Sequence, residues 1–461
     1  MKHTGLIFLL AAALTLSSCQ AAVPAPTAPA TNPPATLPPS NLPPTMAPSP
    51  TVAPSAPPST VPSGDFLASA QKRITNPAAP AADVHELAHG NTAFAVDLYH
   101  ALLRDNQGNL IFSPYSISLA LAMTYAGARG QTEQQMAQTL HFTLSQARLH
   151  PAFNALDLGL SQPGTGAPAD QFQLNVANSL WGQKGFAFEP AFLDQLGENY
   201  GAGLRLADFA QAPEPARKSI NDWVSQQTKD KINDLIPAGA ITPLTRLVLA
   251  NAIYFKAKWL SPFDANRTHP GDFNLPDGTK ASVSMMSSGE PGSLRYAKAD
   301  GYQAVELPYQ GGQAAMLLIV PDLGHFSDVQ QALTADALDN IESALQPKQV
   351  QLTLPKFKYE SSLGLADTLG QMGMPDAVNP DKADFSGMDG AHDLYVSAIL
   401  HKAYVSVDEA GTEAAAATAV VVGVMAMPVQ EVQLTVDRPF IYVIRDTQTG
   451  SLLFMGQVTH P

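Results

Sequence analysis

Glu409-Ala-Gly-Thr-Glu-Ala-Ala-Ala-Ala-Thr-Ala-Val-Val-Val-Gly-Val-Met425 is the stretch on which the reading of this chain turns. Every second position from Thr412 is small or β-branched: Thr412, Ala414, Ala416, Thr418, Val420 and Val422. On a strand these positions share one face, and all of them tolerate burial. Glu413, the only charge after Glu409, falls on the opposite face and could meet water. The stretch lies between a strand-like run, Leu394 to Val407, and Pro428, where an exposed loop is expected. A loop composed like a buried strand implies a segment with two states. The alanine run Ala414, Ala415, Ala416 and Ala417 also suits a helix, because Ala is the best helix former. Val420, Val421 and Val422 count against a helix, and Gly423 and Pro428 break any continuation. The local pattern alone does not choose between helix and mobile strand.

The flanking motifs choose. Thirty residues beyond Glu409 comes Pro439, inside Leu434-Thr-Val-Asp-Arg-Pro-Phe-Ile-Tyr-Val-Ile444, and the chain closes with Leu453-Phe-Met-Gly-Gln-Val-Thr-His-Pro461. Upstream stand Asn109-Leu-Ile-Phe-Ser-Pro-Tyr-Ser-Ile117 and Asn251-Ala-Ile-Tyr-Phe-Lys-Ala-Lys-Trp259. Taken in order, these motifs resemble those of the serpin family, with Ala257 where Gly is more usual. The resemblance runs from about Asn91 to Pro461. It implies an α+β serpin fold with mixed β-sheets, about eight or nine helices and an exposed reactive-centre loop near 409–433.

The resemblance also assigns roles. Glu409, Gly411, Thr412, Glu413 and Ala414 to Ala417 match the hinge of the loop, in its permissive, inhibitor-like form. Counting seventeen positions from Glu409 gives Met425, so the reactive bond is expected between Met425 and Ala426. Ser113, Ser116, Asn251 and His401 match a buried hydrogen-bonded cluster called the shutter, and Trp259 matches a structural position at the top of a central strand. The implied function is suicide inhibition of a serine protease, with a cysteine protease as the other target class. A protease cuts the loop, and the cut segment enters the large sheet before the acyl-enzyme is hydrolysed. Gly411 to Val424 would supply roughly 46 Å of strand at ~3.3 Å per residue. A non-inhibitory binding protein on the same fold is the first alternative. The implied molecule is a monomer without a cofactor. Relatives activated by heparin carry a basic helix, whereas His141 to Asp170 holds one Arg and no Lys, so no heparin dependence is expected.

Length and charge agree. The 461 residues carry a net charge of −14, which argues against nucleic acid as partner. Residues 1–18 read as a signal peptide: Lys2 and His3, then the apolar run Gly5 to Leu16. Leu16-Ser17-Ser18-Cys19 resembles the bacterial lipobox, and Cys19 is the only cysteine, so it has no internal disulfide partner. Lipidation at Cys19 and attachment to a cell membrane follow as expectations. Residues 19–64 are expected to form a stalk: Ala21 to Gly64 has no charge, no aromatic and fifteen prolines. Such a segment stays extended, with a reach on the order of 100 Å. Residues 65–90 are expected to be a junction and 91–461 the serpin domain. No other stretch reads as a membrane-spanning helix; the Ala414–Val429 run is too short and is interrupted by Gly423 and Pro428.

His85-Glu-Leu-Ala-His89 fits the zinc-protease pattern in which two His one turn apart hold the metal and Glu acts as base. A metalloprotease is therefore a distant alternative. Gly90 and Asn91 follow at once and read as a helix end, and no third His follows at position 92 or 95, so no metal site is expected. There is no Gly-x-Ser-x-Gly elbow of a serine hydrolase. Helices are expected over Thr92–Arg104, Tyr115–Ala126, Thr132–Leu140, Pro190–Tyr200, Pro213–Thr228 and from an N-cap at Ser327 to Leu345. Strands are expected over Gln171–Trp181, Leu204–Phe209, Leu247–Trp259 and Gln349–Lys358, with two or three more between Leu294 and Val320.

Overall fold

The computed structural model describes residues 65–161, 172–412 and 431–461. These build one compact unit around two sheets. The ten helices among the described residues are α1 (Ala81–Leu102), α2 (Pro114–Tyr125), α3 (Gly130–Thr139), α4 (Gln146–Leu160), α5 (Pro190–Tyr200), α6 (Pro213–Gln227), α7 (Phe326–Ala332), α8 (Ala335–Ala344), α9 (Ala366–Met372) and α10 (Ser386–Asp389).

The first sheet runs β1 (Phe66–Leu67), β4 (Leu204–Ala207), β3 (Phe172–Gln183), β5 (Leu247–Lys258), β14 (Gly411–Thr412), β13 (Val396–Val407) and β12 (Phe357–Gly364). The second runs β2 (Leu110–Phe112), β17 (Leu452–Val458), β16 (Phe440–Asp446), β10 (Ala314–Pro321), β9 (Tyr302–Pro308), β8 (Gly292–Ala299), β11 (Gln346–Pro355), β7 (Lys280–Ser287) and β6 (His269–Asn274), with β15 (Glu431–Thr435) parallel on β11. β10 and β16 are buried along their whole length, as expected of strands covered on both faces; β10 is apolar throughout, and β16 is apolar up to Arg445-Asp446.

The main core lies between the two sheets and holds α2, which is buried at every position. Ser113 caps this helix by accepting a hydrogen bond from the Ser116 N–H at 3.1 Å, with Pro114 preset as the first helical residue. A smaller core joins α6 to the outer face of the first sheet: Ala216, Ile220 and Val224 pack near Trp181, Val248, Ala250 and Ala252. Ile220, Val224 and Val248 each contribute about 1.5–3 kcal/mol when fully buried.

Three helix expectations change. α1 starts at Ala81 and runs through Gly90 and Asn91, which the sequence reading took as a stop. Gly90 is buried, and a Cβ there would lie 2.5 Å from the His141 carbonyl oxygen. This glycine permits close packing and does not end the helix. The helix expected from Ser327 to Leu345 is two, α7 and α8. Thr334 caps the second, its hydroxyl accepting from the Ala337 N–H at 3.0 Å. Finally, α9 and α10 were not anticipated, and neither was α4. The only arginine of its region, Arg148, is engaged by the Asp83 carboxylate at 2.6 and 3.0 Å. The expected junction, 65–90, lies in the compact unit: Phe66–Leu67 adds a strand to the first sheet, and most of α1's first turns follow.

Candidate functional site

The centre of the first sheet has an unusual order. β3 and β5 are antiparallel over eleven paired positions, and β12 and β13 are antiparallel as well. β5 and β13 between them are parallel, from Leu247↔Val396 to Tyr254↔Tyr404. A parallel pair is slightly weaker than an antiparallel one, so this seam is where the sheet parts most readily. Above Tyr254 the two strands are already separated. β14 lies between them, antiparallel to both, with Gly411 opposite Lys258 and Thr412 opposite both Ala257 and Val407.

The residues leading into β14 are held closely. Asp408 Oδ1 accepts from the N–H groups of Ala410 (2.9 Å) and Gly411 (3.2 Å), which fixes the turn. Trp259 donates its backbone N–H to the Ala410 carbonyl and its indole N–H to the Asp408 carbonyl, both at 3.0 Å. The Glu409 carboxylate receives Lys356 Nζ at 2.8 Å and Thr268 Oγ1 at 2.6 Å. Burial works against ionisation of Glu409, but these two donors prevail and hold its pKa below the usual carboxylate value. Gly411 has no substitute here. A Cβ on it would overlap the Ala257 carbonyl and lie 2.7 Å from Lys258 Cα. Thr412 is 1% exposed, and its hydroxyl meets the Tyr309 hydroxyl at 2.7 Å. Tyr309 in turn stacks on Trp259 with ring centres 4.5 Å apart.

Below β14 the seam is closed by a polar cluster that unites Ser113, Ser116, Asn251 and His401. Ser113 N–H donates to His401 Nε2 at 3.1 Å, which leaves Nδ1 as the protonated nitrogen, donating to Asn251 Oδ1. Asn251 Nδ2 then donates to Ser116 Oγ (2.6 Å) and to the Ser116 carbonyl (2.7 Å). Burial pushes the His401 pKa down to about 3, so the ring is neutral. Sequence reading missed the fifth member, Asn178 of β3. It stands opposite Asn251, takes the Ser116 hydroxyl at 3.0 Å and donates to the Ser116 carbonyl at 3.1 Å. Only the strand register marks it. Lys402 was missed too. From β13 it reaches over the outer face of the sheet to the Asn233 carbonyl at 3.1 Å and to Glu360 at 3.0 Å.

Trp259 belongs to the hinge end of the seam and not to this cluster. Glu413, Ala414 to Ala417, Met425, Ala426 and Cys19 lie outside the described residues. His85 and His89 project to solvent from α1, and His89 Nδ1 lies 3.5 Å from Asp339. Among the described residues no three His, Cys, Asp or Glu side chains gather as a metal site would require.

The first sheet thus has a parallel seam at its centre, with the start of the chain's own loop paired at one end of it. The family model described as "Serpin (serine protease inhibitor)" matches residues 89–461, and the chain belongs to this family. It is of the protease-inhibitor class and is not an enzyme. The chain is 40% identical over 386 residues to a leukocyte elastase inhibitor of Bos taurus, covering 82% of this chain and all of that one. It is 40% identical over 372 residues to a serpin-like protein of Thermococcus kodakarensis, covering 80% and 84%. Among solved structures, a highly specific serpin of the insect Tenebrio molitor matches with a TM-score of 0.71 at 30% identity, over 82% and 98% of the two chains.

Proposed function

We propose that this protein traps serine proteases covalently by inserting its cut loop into the β5–β13 seam. The observation that carries this reading is β14: Gly411 and Thr412 occupy the first two positions of a strand antiparallel to both neighbours. An incoming strand that keeps this register places Ala414 opposite Phe255, Ala416 opposite Ile253 and Thr418 opposite Asn251, with His401 on its other side. Thr412, Ala414, Ala416, Thr418, Val420 and Val422 then face the core, the same set selected by alternation alone. Insertion must break the Asn251–His401 hydrogen bond. The Thr418 hydroxyl arrives at that level and can serve both groups, each of which would otherwise cost about 1–3 kcal/mol if left unpaired.

The chemistry is acyl transfer. The protease serine oxygen bonds to the Met425 carbonyl carbon, the bond to the Ala426 nitrogen breaks, and the serine proton leaves with the new amine. The ester persists if insertion outruns attack by water. An apolar Met425 suits elastase-, chymotrypsin- or subtilisin-like pockets, and the elastase-inhibitor relatives support this choice. The N-terminal sequence supports a lipid-anchored, cell-surface inhibitor: a signal peptide, Cys19 as lipidated residue, and a Pro-rich stalk that sets the monomer off the membrane. Labelled fatty acid should enter the parent and not Cys19→Ala.

Incubation with elastase should give an adduct stable to denaturing electrophoresis, joined through Met425. Met425→Arg should shift adduct formation to trypsin-like enzymes. A parent that is only cleaved by a broad protease panel would instead be a non-inhibitory binding protein.

A further inference from the structure

The segment before α1 is bonded to more of the molecule than a junction needs. Phe66–Leu67 extends the first sheet as its edge strand on β4, and the Leu206 N–H donates to the Asp65 carbonyl at 2.8 Å. The Phe66 ring covers the Arg205 guanidinium at 5.2 Å, and Trp223 of α6 lies against the same guanidinium at 4.8 Å. Further on, Arg73 Nη2 pairs with Asp157 at 2.6 Å and Arg73 Nε donates to Asn154 at 2.8 Å, both on α4. Asn154 Nδ2 also donates to the Ile74 carbonyl at 2.8 Å.

The surface beneath is shaped for this segment. A Cβ on Gly203 would lie 2.5 Å from the Leu67 carbonyl oxygen and 2.7 Å from the Phe66 ring. All three nearest atoms belong to the segment, and Gly203 does not have a positive φ. Gly197 sits inside α5, where glycine costs about 1 kcal/mol against alanine. A Cβ there would meet Ser69 at 3.1 Å and the Gln71 carbonyl at 3.2 Å.

These contacts join two parts that must separate. β12 and β13 are fastened to the second sheet by Ile111 N–H to Ser361 Oγ at 3.0 Å and Tyr359 OH to the Gln457 carbonyl at 2.9 Å, and to the start of α2 by Ser113 N–H to His401. A strand entering the seam therefore displaces the other half, β5-β3-β4-β1, by about 4.8 Å, one strand spacing. Asp157 does not belong to that half. It lies on α4, outside those four strands, and accepts the Tyr115 hydroxyl of α2 at 2.6 Å. Arg73–Asp157 thus ties the outer edge of the moving half to a helix outside it.

We propose that residues 65–74 form a strap that holds the seam closed in the uncut protein, so that releasing it speeds loop insertion. This rests on the insertion reading above. The test compares full-length parent, Gly203→Ala and Arg73→Ala, each uncut and after cleavage of the reactive loop. Gly203→Ala lifts the strap without altering it, and Arg73→Ala removes the side-chain tie to α4 while leaving the Asn154–Ile74 bond. Both variants should shorten the half-life of the uncut, inhibitory form at elevated temperature, about tenfold for each 1.4 kcal/mol of restraint lost, and leave the melting temperature of the cut form within error of the parent. Equal losses in uncut and cut forms would make the segment an ordinary stabilising strand and overturn the proposal, as would no change in either. If cleavage fails to stabilise the parent, the insertion reading itself fails, and that result is visible before any variant is made.

Discussion

Thr412 shows how much one side chain decides. It is buried, its hydroxyl is paired with Tyr309, and it begins the inward face of any inserted strand. Thr412→Arg puts an unpaired charge on that face, at a cost of several kcal/mol during insertion. The variant should still be cut at the same bond but behave as a substrate. The fraction trapped should fall at least about tenfold, since ~1.4 kcal/mol is one decade. Undiminished adduct on a gel would refute the register. Thr418→Val is subtler: it keeps shape and removes the hydroxyl that should serve Asn251 and His401 after insertion. Denaturant unfolding should find the cut form weaker by about 1–3 kcal/mol and the uncut form unchanged. His401 sets a pH dependence. Its folded pKa lies below the ordinary value of 6.5, so the unfolded chain binds more protons. Its contribution is intact above pH 6.5 and is lost as pH falls toward 3. Between pH 7.5 and 5 the loss should be about 2 kcal/mol. His150 adds a second dependence of the same sign, its pKa lowered by burial to about 4. In His401→Gln the slope of stability against pH should drop by about 0.6 proton averaged over this window, approaching one proton near pH 5. An unchanged slope would mean that His401 is not held neutral.

At the scale of elements, the sequence was most legible where one periodicity ran unopposed. α5 spans Pro190–Tyr200 as expected, bounded by Pro190 at its start and by Gly201 in the left-handed conformation at its end. The strand Leu247–Lys258 followed from a long apolar run. Legibility failed where tertiary packing overrode a local signal. Gly90 looks like a stop and is a packing contact; Thr334 looks unremarkable and starts a helix. Ser113, Ser116, Asn251 and His401, named from motifs, lie together in the polar cluster. Asn178 and Lys402 were not named, because what selects them is the strand they stand opposite and the seam they reach across. Phe66–Leu67 was hidden for another reason: a two-residue strand has no period to read. Lys402 carries a prediction at this scale. Its bond to Asn233 spans the seam beneath the segment that follows α6, so Lys402→Ala should ease insertion. The rate of loop insertion in the uncut protein should rise several-fold, and a slower rate would contradict this role.

Across the whole molecule, the uncut form keeps a weaker parallel pair at the centre of its first sheet, and on the proposed mechanism its own loop supplies the strand that completes it. Insertion converts one parallel ladder into two antiparallel ones and buries the alternate side chains from Ala414 to Val422. At about 0.5–1.5 kcal/mol net for each added hydrogen bond, the twelve residues from Glu413 to Val424 would make the inserted form more stable by on the order of 10 kcal/mol. On the proposed mechanism that difference drives trapping, and the strap and the Asn251–His401 cluster delay its release. The most direct measurement is thermal unfolding of the same preparation before and after a single cut in the loop, outside any adduct. The account predicts that the cut protein melts at least ~10 °C above the uncut one. A cut protein that melts at the same temperature or lower would show that the loop does not enter the sheet, and the account would be wrong.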